Sequence, residues 1–194
     1  MSHWFGYALF IAGNLSGIAI RVPHDSRNGK IRVVDDRKGK LEISLLVVMS
    51  IAVFILPVVA MATPLLSFAD YGLSPGAFAA GVCCFALNLW LFYKAHADLG
   101  TNWSATLQVR EGHSLITNGV YRSIRHPMYA AIYLLALAQA CLLSNWIAGP
   151  ATLVAFTLMF TLRMGPEEKM MVDKFGDEYL AYASRTKRLV PGVF

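Results

Sequence analysis

The chain has 194 residues, of which 56% are hydrophobic and 15% charged, and its formal net charge is +5. Soluble domains average about 45–50% apolar and about 25% charged, and the mean hydropathy here is +0.50, so an ordinary soluble fold is excluded and a membrane protein is indicated. The positive charge does not point to nucleic acid, because no basic face with interleaved aromatics appears.

Trp4–Ile20 is the first apolar block. No Lys or Arg precedes it, so it lacks the basic region of a signal peptide and is expected to stay in the mature protein. Ile43–Leu66 and Pro75–Tyr93 are also free of charge, and each block meets or approaches the roughly 20 residues that cross about 30 Å of hydrocarbon. Met128–Leu162 contains no Asp, Glu, Lys or Arg, is too long for one span, and is interrupted by Ser144-Asn145-Trp146 and Gly149-Pro150. It reads as a helical hairpin whose arms are short for a full crossing.

The basic residues are distributed on one side of this pattern. Of the 17 Lys and Arg, seven lie in Arg21–Lys40 and the other ten at Lys94, within Arg110–Arg125 or within Arg163–Arg188. With five spans, the positive-inside rule places the N-terminus outside and the C-terminus on the cytoplasmic side. The expected fold is therefore all-α, a polytopic membrane protein with five transmembrane helices of which the last two form the hairpin. Residues 1–93 would hold three spans and a basic inner loop over 21–42. Residues 94–194 would hold a polar loop over 94–127, the hairpin over 128–163 and a C-terminal amphipathic helix over 166–186.

The polar segments differ in character. Arg21–Lys40 mixes both charges with Gly and reads as a solvated connector that touches anionic lipid headgroups. Lys94–Arg125 is rich in Gly, Asn, Ser and Thr and holds Trp103, His113 and Tyr121; loops of such length in compact proteins are usually functional or disordered. Pro166–Thr186 opens with a proline and two acids, which suits a helix N-terminus, and Met170, Phe175, Tyr179 and Tyr182 mark one face. Cys83, Cys84 and Cys141 have no CxxC spacing and read as packing residues. The histidines show no metal-ligand spacing, so no metal is expected.

What remains is a polar cluster at the mouth of the hairpin. Taken singly, Arg163 reads as a snorkelling anchor, Glu167-Glu168 as dipole-capping acids, His126-Pro127 as a helix start, and Tyr121 and Tyr129 as interface aromatics. Taken together they suggest a site, because the hairpin returns Arg163 and Glu167 to the membrane face that carries His126 and Tyr129.

These residues also carry a resemblance. Leu107-Gln108-Val109 is followed by His113, Leu115-Ile116-Thr117, Gly119-Val120-Tyr121 and Arg125-His126-Pro127 with Tyr129; after the hairpin come Arg163, Glu167-Glu168, Phe175-Gly176, Tyr179 and Tyr182. This order resembles the isoprenylcysteine carboxyl methyltransferase family over about Lys94–Pro191, with Ala131 where the family usually has Gly. The resemblance implies a membrane-embedded enzyme that moves a methyl group from S-adenosylmethionine to the carboxylate of a lipophilic acceptor such as a prenylated cysteine, leaving S-adenosylhomocysteine. It implies cofactor contacts at His126, Pro127, Met128, Tyr129 and Glu167, with Glu168 beside them; the polar loop with Gln108, His113 and Leu115 is expected to hold the cofactor's polar ends, and Tyr121 and Tyr129 to offer ring faces to its cation and adenine. The catalytic pair is expected to be Arg163, whose guanidinium fork suits the acceptor carboxylate, and Glu167, which balances the sulfonium or the cofactor amine. The acceptor would come from the bilayer, and the remaining partners would be membrane lipids. No Rossmann-like alternation of strands and helices is visible. Two other readings stay open on the residues alone: a phospholipid or small-lipid N-methyltransferase on the same scaffold, and a non-enzymatic membrane scaffold or carrier.

Overall fold

The structure, a computed structural model, describes residues 1–194. Seven α-helices and one short ribbon follow in chain order: α1 (His3–Asn28), β1 (Val33–Asp36), α2 (Lys40–Ser50), α3 (Leu56–Ala62), α4 (Pro75–Leu99), β2 (Gln108–Arg110), α5 (Pro127–Leu142), α6 (Ala148–Phe175) and α7 (Asp177–Arg185). A π-helical turn, Ile51–Ile55, joins α2 to α3, next to Pro57, which has no N–H to return to the preceding turn. Three helical segments are long and apolar enough to cross a membrane: His3–Asn28, Lys40–Ala62 and Pro75–Asn102. Their outward faces carry residues such as Trp4, Phe5, Val58 and Trp90, each more than half exposed, as expected where lipid replaces water.

α5 and α6 form the expected hairpin, and α5 packs against α4. At 16 residues, α5 is only about 24 Å long, so it is short for a full crossing. The turn is made by Ser144-Asn145, with Ser144 at φ 50°. Asn145 Oδ1 accepts the backbone N–H groups of Ile147 (3.0 Å) and Ala148 (2.8 Å), while its Nδ2 donates to Asp70 Oδ1 (2.7 Å). The expected second break at Gly149-Pro150 does not occur, because both lie in the first turn of α6, where proline is tolerated. Midway along the bundle, buried Gln139 donates to the carbonyls of Ala52 (3.0 Å) and Ala148 (2.7 Å) and accepts from Thr152 Oγ1 (2.8 Å). One side chain thus fastens the second span to both hairpin arms, as polar groups do inside membrane bundles.

Three expectations need correction. The fold is mostly helical but not all-α, because β1 and β2 pair antiparallel with Val33 opposite Arg110 and Asp36 opposite Gln108. The loop over 21–42 is not simply a solvated connector: α1 continues to Asn28, whose buried Nδ2 donates to the carbonyls of Gly100 (2.9 Å) and Trp103 (3.0 Å). The separate helix over 166–186 does not start at Pro166. α6 runs through that proline to Phe175, and Gly176, at φ 54°, divides it from α7. Only glycine takes that backbone angle without strain.

Candidate active site

The region 100–126 is anchored before it can form a site. Gly119 is at φ 56°, and a Cβ there would come within 2.0 Å of Asp98 Oδ2. That carboxylate instead accepts the N–H of Val120 (2.8 Å), which fixes the turn that buries Tyr121. From the far end of the chain, Tyr182 donates its hydroxyl to the carbonyl of Tyr121 (2.7 Å). The backbone N–H groups of Arg125 and His126 bond to the carbonyls of Lys187 (2.7 Å) and Arg188 (3.0 Å).

These anchors enclose a cavity of about 150 Å³ at the end of the hairpin where α5 begins. Of the expected residues, Gln108, His113, Leu115, Tyr121, His126, Met128, Tyr129, Arg163 and Glu167 line it; Pro127 and Glu168 do not. Pro127 is the first residue of α5 and shapes the turn that presents its neighbours. Glu168 faces away, between two guanidiniums. Its carboxylate accepts from Arg125 Nε (3.2 Å) and Nη2 (3.1 Å) and from Arg188 Nε (3.1 Å) and Nη2 (2.7 Å). It therefore latches the C-terminal segment over the cavity. Gln108 lines the cavity while donating to Asp36 Oδ2 (3.0 Å) on the other strand.

The electrostatics centre on Glu167. Tyr129 donates its hydroxyl to Glu167 Oε2, which Arg163 Nε also approaches at 3.3 Å. His126 Nδ1 lies 3.5 Å from Glu167 Oε1, and the His126 ring stacks on Tyr129 with centroids 5.4 Å apart and an interplanar angle of 13°. Burial disfavours the Glu167 anion, but the His126 hydrogen bond and charge, together with Arg163 and Tyr129, overcome this and pull its pKa down to about 2. The carboxylate is therefore ionised. Burial, reinforced by the charge of Lys174, lowers the pKa of His113 and keeps it neutral, with its Nδ1 buried and unpartnered. His126 Nε2 is likewise buried without a hydrogen-bond partner.

A fixed carboxylate, two tyrosine rings and unpartnered imidazole nitrogens suit a ligand with a cationic centre and polar ends. No group of three or more His, Cys, Asp or Glu side chains capable of holding a metal ion is found.

A second cavity, of about 310 Å³, lies among the membrane helices and is lined by Gly13 and Gly17 of α1, Leu46 and Met49 of α2, Phe92 of α4 and Met159 of α6. The two cavities share Trp103, Ser104, Met128, Tyr129 and Arg163. Sequence reasoning missed several contributors. Trp103 was visible only as an aromatic in a polar loop, and Tyr179 and Tyr182 as one face of a helix and as part of the family's order of residues, without a role in the site; all three line the first cavity. Buried Glu42 meets Arg163 Nη1 at 3.3 Å; in the sequence it is only the last residue of the 21–42 loop.

Comparison with known proteins agrees with this arrangement. The isoprenylcysteine carboxyl methyltransferase family matches over residues 79–173, which include every expected site residue. The protein-S-isoprenylcysteine O-methyltransferase of Schizosaccharomyces pombe is 29% identical over 115 residues, 58% of this chain and 48% of that protein. O-methyltransferase B of Arabidopsis thaliana is 32% identical over 96 residues, 48% of this chain and 49% of that protein. The human enzyme is 31% identical over 94 residues, 47% of this chain and 33% of that protein. The chain thus spans about half or less of the curated relatives it matches. Among solved structures, the eukaryotic intramembrane Ras methyltransferase ICMT superimposes with a TM-score of 0.56 and 26% identity, covering 91% of this chain and 60% of that one. Through residues 79–173, just under half of its length, the chain is similar to the isoprenylcysteine carboxyl methyltransferase family.

Proposed function

We propose that the protein is a membrane-embedded, S-adenosylmethionine-dependent carboxyl O-methyltransferase acting on a lipophilic acceptor of the prenylated-cysteine class. The observation that carries this reading is the shared wall. The cavity that holds His126 and Glu167 and the cavity among the membrane helices meet at Tyr129 and Arg163, so a water-borne donor and a lipid-borne acceptor can converge there. The names of the relatives support the same chemistry.

Bound in the first cavity, S-adenosylmethionine supplies an electrophilic methyl group on a sulfonium, which a carboxylate takes up with release of neutral S-adenosylhomocysteine. Glu167 offsets the cationic charge, and Tyr121 and Tyr129 present ring faces to it. Arg163 holds the acceptor carboxylate. Its Nη1 donates to the carbonyl of Ala105 (3.2 Å) and lies 3.3 Å from Glu42 Oε1, its Nε lies 3.3 Å from Glu167 Oε2 without a hydrogen bond, and none of these contacts uses Nη2, which leaves an N–H edge for an incoming anion. No proton is transferred, so no general base is required. The chain's task is to align the two reactants and exclude water, which raises the reactivity of oppositely charged partners. A clamping arginine favours a carboxylate acceptor over an amine.

The membrane arrangement belongs to the same reading: five crossings, with α5 and α6 supplying the last two, the N-terminus outside, and the site on the cytoplasmic side where the Lys and Arg residues gather. Calorimetric titration of the purified protein with S-adenosylhomocysteine tests the cofactor assignment. Saturable one-to-one binding is expected, and absence of binding would remove the enzyme reading.

A further inference from the structure

Glu42 precedes a charge-free stretch of membrane helix, where a first-turn acid ordinarily faces water and offsets the helix dipole. In this fold it does neither. Its side chain is only 6% exposed, and its contacts lie outside its own helix. Oε1 accepts the backbone N–H of Leu107 (2.9 Å) and lies 3.3 Å from Arg163 Nη1, while Oε2 is buried without a partner.

Folding stability is a weak explanation for such an arrangement. A buried ion pair gains little over well-packed apolar side chains, because the desolvation of both charges offsets their attraction. A geometric role explains it better. Leu107 sits between Thr106 and Gln108, and all three line the first cavity, whereas Arg163 lies in the wall between the two cavities. One carboxylate thus fastens the rim of the cofactor cavity to the residue that faces the acceptor. The Glu42 and Glu167 carboxylates flank the guanidinium as ion pairs, 3.3 Å from Nη1 and from Nε, and their charges bias the direction of Nη2.

We infer that Glu42 is a positioning residue for the acceptor: it aims Arg163 at the acceptor carboxylate and couples that aim to the seating of the 104–108 segment. The inference rests on the proposed carboxyl methyl transfer. It assigns a role to a residue of the N-terminal half, outside the segment that matches the family.

Glu42→Gln separates the two contacts of Oε1, because a glutamine oxygen still accepts the Leu107 N–H while the charge opposite Arg163 is lost. Kinetics of methyl transfer to farnesyl-cysteine should show the acceptor KM raised at least about fivefold, the scale of losing one charge-assisted contact. S-adenosylhomocysteine affinity should stay close to that of the unsubstituted protein, while thermal stability should fall, because the buried guanidinium loses one of its two compensating charges. Glu42→Asp restores the charge and should recover part of the loss. In an Arg163→Lys background Glu42→Gln should add little, because a residue that acts only through Arg163 has nothing left to aim. An unchanged acceptor KM in Glu42→Gln, or a full additional loss in the Arg163→Lys background, would overturn the inference while leaving the methyltransferase reading intact. If Glu42→Gln fails to fold, Glu42→Asp carries the test through its shorter reach, and an unchanged acceptor KM there has the same meaning. An unsubstituted protein that binds no S-adenosylhomocysteine and methylates nothing would overturn both.

Discussion

Tyr129 and Glu167 are joined by a hydrogen bond in which the phenol donates to the same carboxylate oxygen that Arg163 approaches. The tyrosine thereby has two functions, a ring face toward the cavity and a hydroxyl that orients the acid. Tyr129→Phe keeps the ring and should weaken S-adenosylhomocysteine binding by about tenfold, or about 1.4 kcal/mol. Tyr129→Ala removes both and should cost more. Equal affinity in the phenylalanine variant and the unsubstituted protein would show that Glu167 needs no such guide.

The hairpin and the order of apolar segments could be read from the sequence because they depend on composition, and a charge-free run of sufficient length leaves few alternatives in lipid. The ionisable and aromatic centre of the cavity was legible for a different reason: Tyr121, His126, Tyr129, Arg163 and Glu167 are residue types that a membrane edge does not require in one place. What could not be read depended on distant pairing. Glu168 has the same local sequence setting as Glu167, and only the return of Arg188 beside Arg125 turns it out of the cavity. The β1–β2 ribbon joins segments about 75 residues apart, and two valines followed by two aspartates are too short a run to mark a strand on their own.

His126 gives the site a pH dependence. Burial pushes its pKa down, but the Glu167 and Glu168 carboxylates, each 3.5 Å from a ring nitrogen, overcome this and hold it above the ordinary value of 6.5. A group with a raised folded-state pKa stabilises the fold fully below its unfolded value and loses that contribution as pH rises through the folded value. The melting temperature should therefore fall as pH is raised above 6.5, and His126→Asn should flatten that part of the curve. Parallel curves for the two proteins would exclude a charged His126.

Gly17 controls the space available to an acceptor tail. It lines the second cavity, and a Cβ built on it meets no atom within 4 Å. Gly17→Leu should fill the cavity without displacing protein, raise the KM of a farnesyl acceptor more than that of a geranyl acceptor, and leave S-adenosylhomocysteine affinity unchanged. Equal effects on both tails would place the tail elsewhere.

Topology is open to chemical labelling in a cysteine-free background. Phe68 and Trp146 are 79% and 70% exposed at one end of the bundle, whereas Ser26 is exposed at the other; Asn28 is buried and unsuitable as a probe. Single cysteines at Phe68 and Trp146 should react with an impermeant reagent added to intact cells, and one at Ser26 should not. Labelling confined to Ser26 would invert the orientation.

The central claim is transfer of a methyl group to a carboxylate held by Arg163. It is measured by incubating the purified protein with methyl-labelled S-adenosylmethionine and farnesyl-cysteine, and counting the label that base hydrolysis releases from the product as methanol. The unsubstituted protein should form this base-labile ester. Arg163→Lys, which keeps the charge but loses the planar fork, should form it at least about tenfold more slowly, a loss of about 1.4 kcal/mol of transition-state stabilisation. Absence of base-labile label with the unsubstituted protein, or appearance of the label on a lipid amine instead, would contradict the account.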